Sequence, residues 1–251
     1  DALIAGLPEW ATVIAWLWAR TVKCPNPACG VQMPLVKSFE LSKKKGRKAW
    51  IEPHVDPGTR EISFEVRMGN GTARKGTVNR RGATCVACDS PVPFPHVRAE
   101  GQAGRMGAQL MAIVTEGKGG RNYYAPTVEH EQIADVPIPA DAPDTDLPEQ
   151  ALGFRVQLYG MTKHRDLFTP RQLVALTTFS DLVSEARAQI HADALAAGLP
   201  DDDIPLREGG VGARAYAEAV SVYLAFGVDR LADRQSTICG WHIGRTTIRN
   251  T

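Results

Sequence analysis

The chemistry this sequence offers is carried by four cysteines. Cys24 and Cys29 stand in Cys-Pro-Asn-Pro-Ala-Cys-Gly at 24–30, and Cys85 and Cys88 in Cys-Val-Ala-Cys-Asp at 85–89. Each pair lies in a turn-forming context, so each turn can present two sulfurs to one ion. Two such turns suit a tetrahedral zinc site. Four sulfurs leave no coordination position for water, so the expected zinc is structural rather than catalytic. The competing assignment is unpaired or redox-active thiols. Pro25 and Pro27 stiffen the first turn, and Gly30 can take the left-handed conformation that closes it. Asp89 holds the matching place after the second pair, and Asp tolerates a left-handed turn better than most residues.

Other reactive side chains give weaker signals. Cys239 is a lone thiol in an apolar context, for which a core role is the default. His54, His96 and His130 have no ligand spacing to another His or Cys, and His164 in Lys163-His164-Arg165-Asp166 suits a solvated or capping role. Gly101, Gly104 and Gly107 recur every third residue without the strand-to-helix context of a dinucleotide loop. No phosphate loop, nucleophile elbow or suggestively spaced carboxylate pair is present.

The elements that must position the cysteines are mostly strands. Residues 11–22 form a β-branched, aromatic run that reads as a buried strand entering the first turn, although a short apolar run also permits a helix. Residues 31–38 and 47–55 alternate roughly as strands, with the lysine-rich stretch 42–48 as their hairpin turn. Asp56-Pro57-Gly58-Thr59 is a further turn, and 61–68 alternates with Ile62, Phe64 and Val66 on one face. The expected architecture is a zinc ribbon over 23–100, preceded by a connector strand at 1–22, with a β insertion of 55 residues between the cysteine pairs. Residues 91–99 read as an extended, Pro-rich exit. A β-hairpin (108–115 and 121–125) and a Pro/Asp-rich linker (136–149) fill 101–150. The rest, 151–251, reads as helical. Thr169-Pro170 starts one helix and Gly198 and Pro200 stop it; a second apolar stripe runs from Tyr216 to Leu231. Joined by a short connection, the two should pack antiparallel. The fold class is therefore α+β, a β-rich zinc-ribbon lobe followed by a two-helix antiparallel segment.

Charge is unevenly spread. The net charge of +1 divides into 18 Lys and Arg against 8 Asp and Glu over residues 20–125, and 11 against 20 elsewhere. A basic lobe joined to an acidic one suits a polyanion partner for the basic half, or an unevenly charged solvated surface. Lys43, Lys44, Lys45, Arg47 and Lys48 at the hairpin tip, with Arg80 and Arg81, are the candidate phosphate contacts. The chain has no apolar run of the roughly 18 residues a spanning helix needs, so no membrane partner is expected. With no basic start before residues 11–19 of the kind a signal peptide has, a cytoplasmic setting is expected, where close cysteine pairs favour metal over disulfides. Asp1 in place of an initiator Met, and an end directly after an apolar stretch, suggest a segment of a longer polypeptide.

Several long strings point further. WLWARTVKCPNPACG (16–30), GRMGAQLMAIV (104–114), QLYGMTKHRDLFTPRQL (157–173) and YLAFGVDRLADRQS (223–236) resemble the zinc-ribbon-containing adenine-specific DNA methylases. The likeness runs from about Ala11 to the last residue. It implies a central segment of a larger α/β methyltransferase, between an S-adenosylmethionine-binding half and an Asp-Pro-Pro-Tyr motif. It also implies Cys24, Cys29, Cys85 and Cys88 as zinc ligands, DNA as partner, and companion proteins of a modification or anti-phage defence system. The family usually has Gly where Asp89 stands. Neither flanking motif occurs in this sequence; its one Asp-Pro is Asp56-Pro57, followed by Gly58. No catalytic or cofactor-binding residue is carried over, and the segment is expected to be inactive alone. The family's chemistry requires the target base to be flipped from the duplex. The segment would supply scaffold and DNA grip. The alternatives are a structural or protein-interaction zinc ribbon, or a non-enzymatic nucleic-acid-binding protein.

Overall fold

The computed structural model describes residues 7–8, 10–117, 119–149 and 155–250. Within them the fold is mixed α+β, with four α-helices and several antiparallel sheets. Chain contacts divide it into two compact units. The first comprises Asp1–Asp135, Asp146–His164 and Gly240–Arg249; the second comprises Val136–Thr145, Arg165–Cys239 and Asn250–Thr251.

The first unit is built around β1 (Thr12–Lys23), which is flanked by β2 (Gln32–Leu35) and β9 (Gly107–Gly117), with β10 (Gly120–Tyr124) on the outer side of β9. In β9, Leu110 to Thr115 are all buried. Cover on both faces is why this run shows no alternation of apolar and polar residues. A second sheet orders β3 (Glu40–Ser42), β4 (Ala49–Val55) and β5 (Ile62–Met68). In β5, Ile62 and Phe64 are buried and Val66 half-buried, while Ser63, Glu65 and Arg67 are exposed, as the period of two requires. A third sheet joins β6 (Val78–Asn79), β7 (Gly82–Thr84) and β8 (Pro91–Pro93), and β11 (Gly240–His242) pairs with β12 (Thr247–Arg249). Val22, Met33, Phe39, Leu41, Ile51 and Val92 are among the most deeply buried side chains of this core.

Two helices of this unit depart from, or add to, the sequence reading. The Pro-rich exit is extended only over β8; α1 (Phe94–Gln102) follows at once. Pro95 falls in the first helical turn, where a missing N–H costs nothing, so a proline that looked like part of an extended run instead begins a helix. Helix α2 (Val128–Ala134) starts after Thr127, whose backbone N–H donates to Nδ1 of the buried His130 at 3.0 Å.

The second unit contains α3 (Pro170–Ala196) and α4 (Ala213–Gln235). The backbone N–H of Thr169 donates to Gln172 at 2.8 Å, and Gly198 ends α3 in the left-handed region (φ +90°). The helices run antiparallel. Ala213 N–H donates to the Pro200 carbonyl (2.9 Å), and Thr237 N–H donates to the Leu167 carbonyl (2.7 Å), so each end of one helix meets the opposite end of the other. Arg187 and Glu218 pair between them at 2.8 Å. The apolar stripes are only partly covered: Phe179, Leu182, Tyr223 and Phe226 are exposed.

Candidate metal centre

Both cysteine pairs lie on hairpin turns. The first turn joins β1 to β2 across the pair Lys23 and Gln32; the second joins β7 to β8 across Thr84 and Pro91. In the first, Cys24 N–H donates to the Val31 carbonyl (2.8 Å), and Cys29 and Gly30 N–H both donate to the Asn26 carbonyl (2.9 and 3.0 Å). In the second, Cys85 N–H donates to the Ser90 carbonyl (2.9 Å), and Asp89 N–H donates to the Cys85 carbonyl (3.0 Å). Gly30 (φ +61°) and Asp89 (φ +56°) occupy the same left-handed position after their cysteines. Asp89 therefore meets a backbone demand that glycine would meet at lower cost.

Bringing the turns together is the work of the insertion. Thr77, 5 % exposed, donates its hydroxyl to the Pro34 carbonyl (2.7 Å) and accepts from Val36 N–H (2.9 Å), while Val78 N–H donates to the Val36 carbonyl (3.0 Å). Gly76 beside it has no room for a Cβ against the Lys37 carbonyl. The chain is thus fastened to the end of β2 just before β6 and β7 lead into the second turn.

The four sulfurs then lie within 4.8 Å of one another. Cys24 Sγ and Cys88 Sγ are 3.8 Å apart, and Cys29 Sγ and Cys85 Sγ 3.9 Å. Four sulfurs about 2.3 Å from a tetrahedrally bound zinc would be about 3.8 Å from each other. A disulfide would require about 2.05 Å. The donor set and its spacing fit a four-thiolate ion site. Cys24, Cys29 and Cys85 are buried and Cys88 is half-buried. Asn26 ties the turns together: its amide donates to Ser90 Oγ (3.1 Å) and approaches Cys88 Sγ (3.8 Å), and its Oδ1 accepts from Ala28 N–H (3.0 Å). Burial pushes the Cys24 thiol up to about 12 and raises Cys85. The hydrogen bond with Ser90 draws Cys88 down to about 6. An ion reverses the cost of the buried sulfurs, because a coordinated thiol is deprotonated outright.

No histidine joins the cluster. His54 pairs with Glu65 (3.0 Å) on the β4–β5 surface, and His242 accepts from Arg245 N–H (3.0 Å). Cys239 lies in the second unit, half-buried, with its thiol 3.4 Å from the Asp233 carbonyl.

The seven predicted basic contacts are all exposed, on two turns. Lys43 to Lys48 occupy the β3–β4 turn, and Arg80 and Arg81 the β6–β7 turn. Lys43 pairs with Glu40 at 2.9 Å, and Lys44 and Arg47 face a common cavity that Lys45, Arg80 and Arg81 do not line. Asn26 and Ser90, which support the sulfurs, were not singled out from the sequence. Asn26 carries a legible cue in Cys-Pro-Asn-Pro, since Asn favours turns bonded to its own backbone. Ser90 carries none.

Comparison of the chain with protein-family models, curated proteins and solved structures gives no match. Among the described residues, no helix is long and apolar enough to cross a membrane.

Proposed function

We propose that this chain is the central segment of an S-adenosylmethionine-dependent DNA adenine-N6 methyltransferase. In it a structural zinc held by Cys24, Cys29, Cys85 and Cys88 shapes a basic lobe that contacts the DNA backbone. The observation that carries this reading is the set of four strings resembling the zinc-ribbon-containing methylases. Two further features support it: a sulfur cluster of zinc dimensions at the family's ligand positions, and a basic excess of ten charges over residues 20–125. The reaction's cofactor loop and catalytic motif belong to the parent polypeptide, so the segment contributes scaffold and grip. Electrostatic contact with phosphates releases condensed counterions, so affinity for a DNA duplex should fall steeply as salt rises. The test is a salt titration of duplex binding by the zinc-loaded chain. It is repeated after joint replacement of Lys43, Lys44, Lys45, Arg47 and Lys48 by Gln. Steep salt dependence that the replacement flattens is the expected result; no affinity at low salt would remove the DNA role.

A second reading, a brace for the methylase fold or for a partner protein, is favoured by the place of the cysteines within the main hydrophobic cluster. On that reading the five replacements leave methyl transfer by the parent unchanged.

A further inference from the structure

A cavity of about 200 Å³ opens beside the β3–β4 turn, with Lys44, Arg47, Arg121 and Arg245 on its walls and Glu116 as its one carboxylate. Three separate elements supply the cations. Lys44 and Arg47 come from the basic turn, Arg121 from β10, and Arg245 from the β11–β12 turn some 200 positions further along the chain than Lys44. Like charges gathered round one concavity repel each other, so such an arrangement favours an anion.

The neutralising partners within the protein fall short. Arg121 Nη1 lies 2.6 Å from Glu116, and its Nε donates to the Thr246 carbonyl at 3.4 Å. Among the described residues, Lys44 Nζ donates only to the Thr246 hydroxyl (3.0 Å), and Arg47 donates to the Gly119 carbonyl. Among the described residues, Lys44, Arg47 and Arg245 have no carboxylate partner, so four cations face one anion.

Two further observations mark the cavity as built. Tyr123 is 7 % exposed and lines it, and its hydroxyl, next to Ser42 and Thr246, makes no hydrogen bond of normal geometry. Burial raises its pKa, which keeps it a neutral donor. Thr246 is 1 % exposed and holds φ +53°, a conformation β-branched residues seldom adopt, fixed by its N–H donating to the His242 carbonyl at 2.7 Å. Strain of this kind persists where surroundings over-determine it and gathers at ligand sites.

We propose that this cavity is a subsite for a phosphoryl oxyanion, held by Lys44, Arg47 and Arg245 with the Tyr123 hydroxyl as a neutral donor, and that the anion is a backbone phosphate of bound DNA. The source of the phosphate rests on the function proposed above; the chemistry of the cavity does not. Arg245 thereby joins a DNA footprint otherwise confined to the β3–β4 and β6–β7 turns.

The test uses the zinc-loaded chain with two probes, a fluorescent DNA duplex and inorganic phosphate. Arg245→Gln should weaken duplex binding about tenfold at low salt. It should also reduce the slope of log affinity against log salt by about one. Phosphate should raise the melting temperature of the parent chain, but not of Arg245→Gln or Arg47→Gln. Arg245→Lys should keep most of both responses, which separates loss of charge from loss of fold. Duplex binding that Arg245→Gln and Arg47→Gln leave unchanged, with no stabilisation by phosphate, overturns the subsite and spares the DNA reading. Stabilisation by phosphate that depends on Arg245, without duplex affinity, retains the cavity and removes DNA as its source. Failure of both probes on the parent chain removes both.

Discussion

A thiol must lose its proton before it can hold a dication, and burial makes that loss costly. As ligands, Cys24 and Cys85 would therefore depend on the ion, while Cys88, drawn down by Ser90, would enter as a thiolate more readily. Structural zinc contributes roughly 10–16 kcal/mol apparent in small finger peptides. Replacing Cys85 by Ser should take zinc content from about one per chain to near zero and lower the melting temperature on the order of 10 °C. Cys239→Ser should change neither, as elemental analysis beside calorimetry would show. A second residue-scale prediction concerns pH. Arg105 grips Glu100 through two hydrogen bonds, of 2.6 and 3.1 Å, and holds its carboxyl below the usual 4.5. A depressed folded value means stability that is present above pH 4.5 and lost as pH falls through the lowered value. Urea midpoints of Glu100→Gln should lie below the parent's at pH 7, with the gap closing on acidification through that window.

At the scale of elements, the convergence of the four cysteines depends on a strand tie that contains no cysteine. Thr77 satisfies backbone groups at Pro34 and Val36, and the second turn is delivered from there. Thr77→Val keeps the shape and strands both partners, which should cost about 1–3 kcal/mol in urea unfolding. It should also speed zinc loss to a chelator, whereas substitution of exposed Thr59 should do neither. The cysteine turns, the lysine-rich turn and both long helices were readable because each has a local cause, turn chemistry, capping or an apolar stripe at helical spacing, whereas the run that forms β1 permitted a helix as well as a strand. Helix α1 was not, since Pro-rich sequence serves an extended run and a first helical turn equally well. Nor was the tie at Thr77, a Thr in a polar stretch whose partners lie about forty positions earlier.

For the molecule as a whole, the two long helices carry large apolar side chains in water, among them Phe179 (48 %), Tyr223 (76 %) and Phe226 (56 %). Exposed apolar surface of this kind binds hydrophobic dyes and promotes association. The isolated chain should therefore bind such a dye and self-associate at micromolar concentration. Tyr223→Glu with Phe226→Glu should reduce both, as dye fluorescence and sedimentation would show, without altering zinc content.

What the amino-acid order settled by itself was local. Two Cys-containing turns with a left-handed residue after each, a sum of charges tilted to one stretch, and a helix bounded by Thr-Pro and Gly all follow from neighbours within a few positions. What only the tertiary structure decided was convergence. Sulfurs about sixty positions apart come to 3.8 Å, and Lys44, Arg121 and Arg245 come to one cavity. Such meetings are set by how strands pair and where the chain is fastened, and no local spacing encodes them.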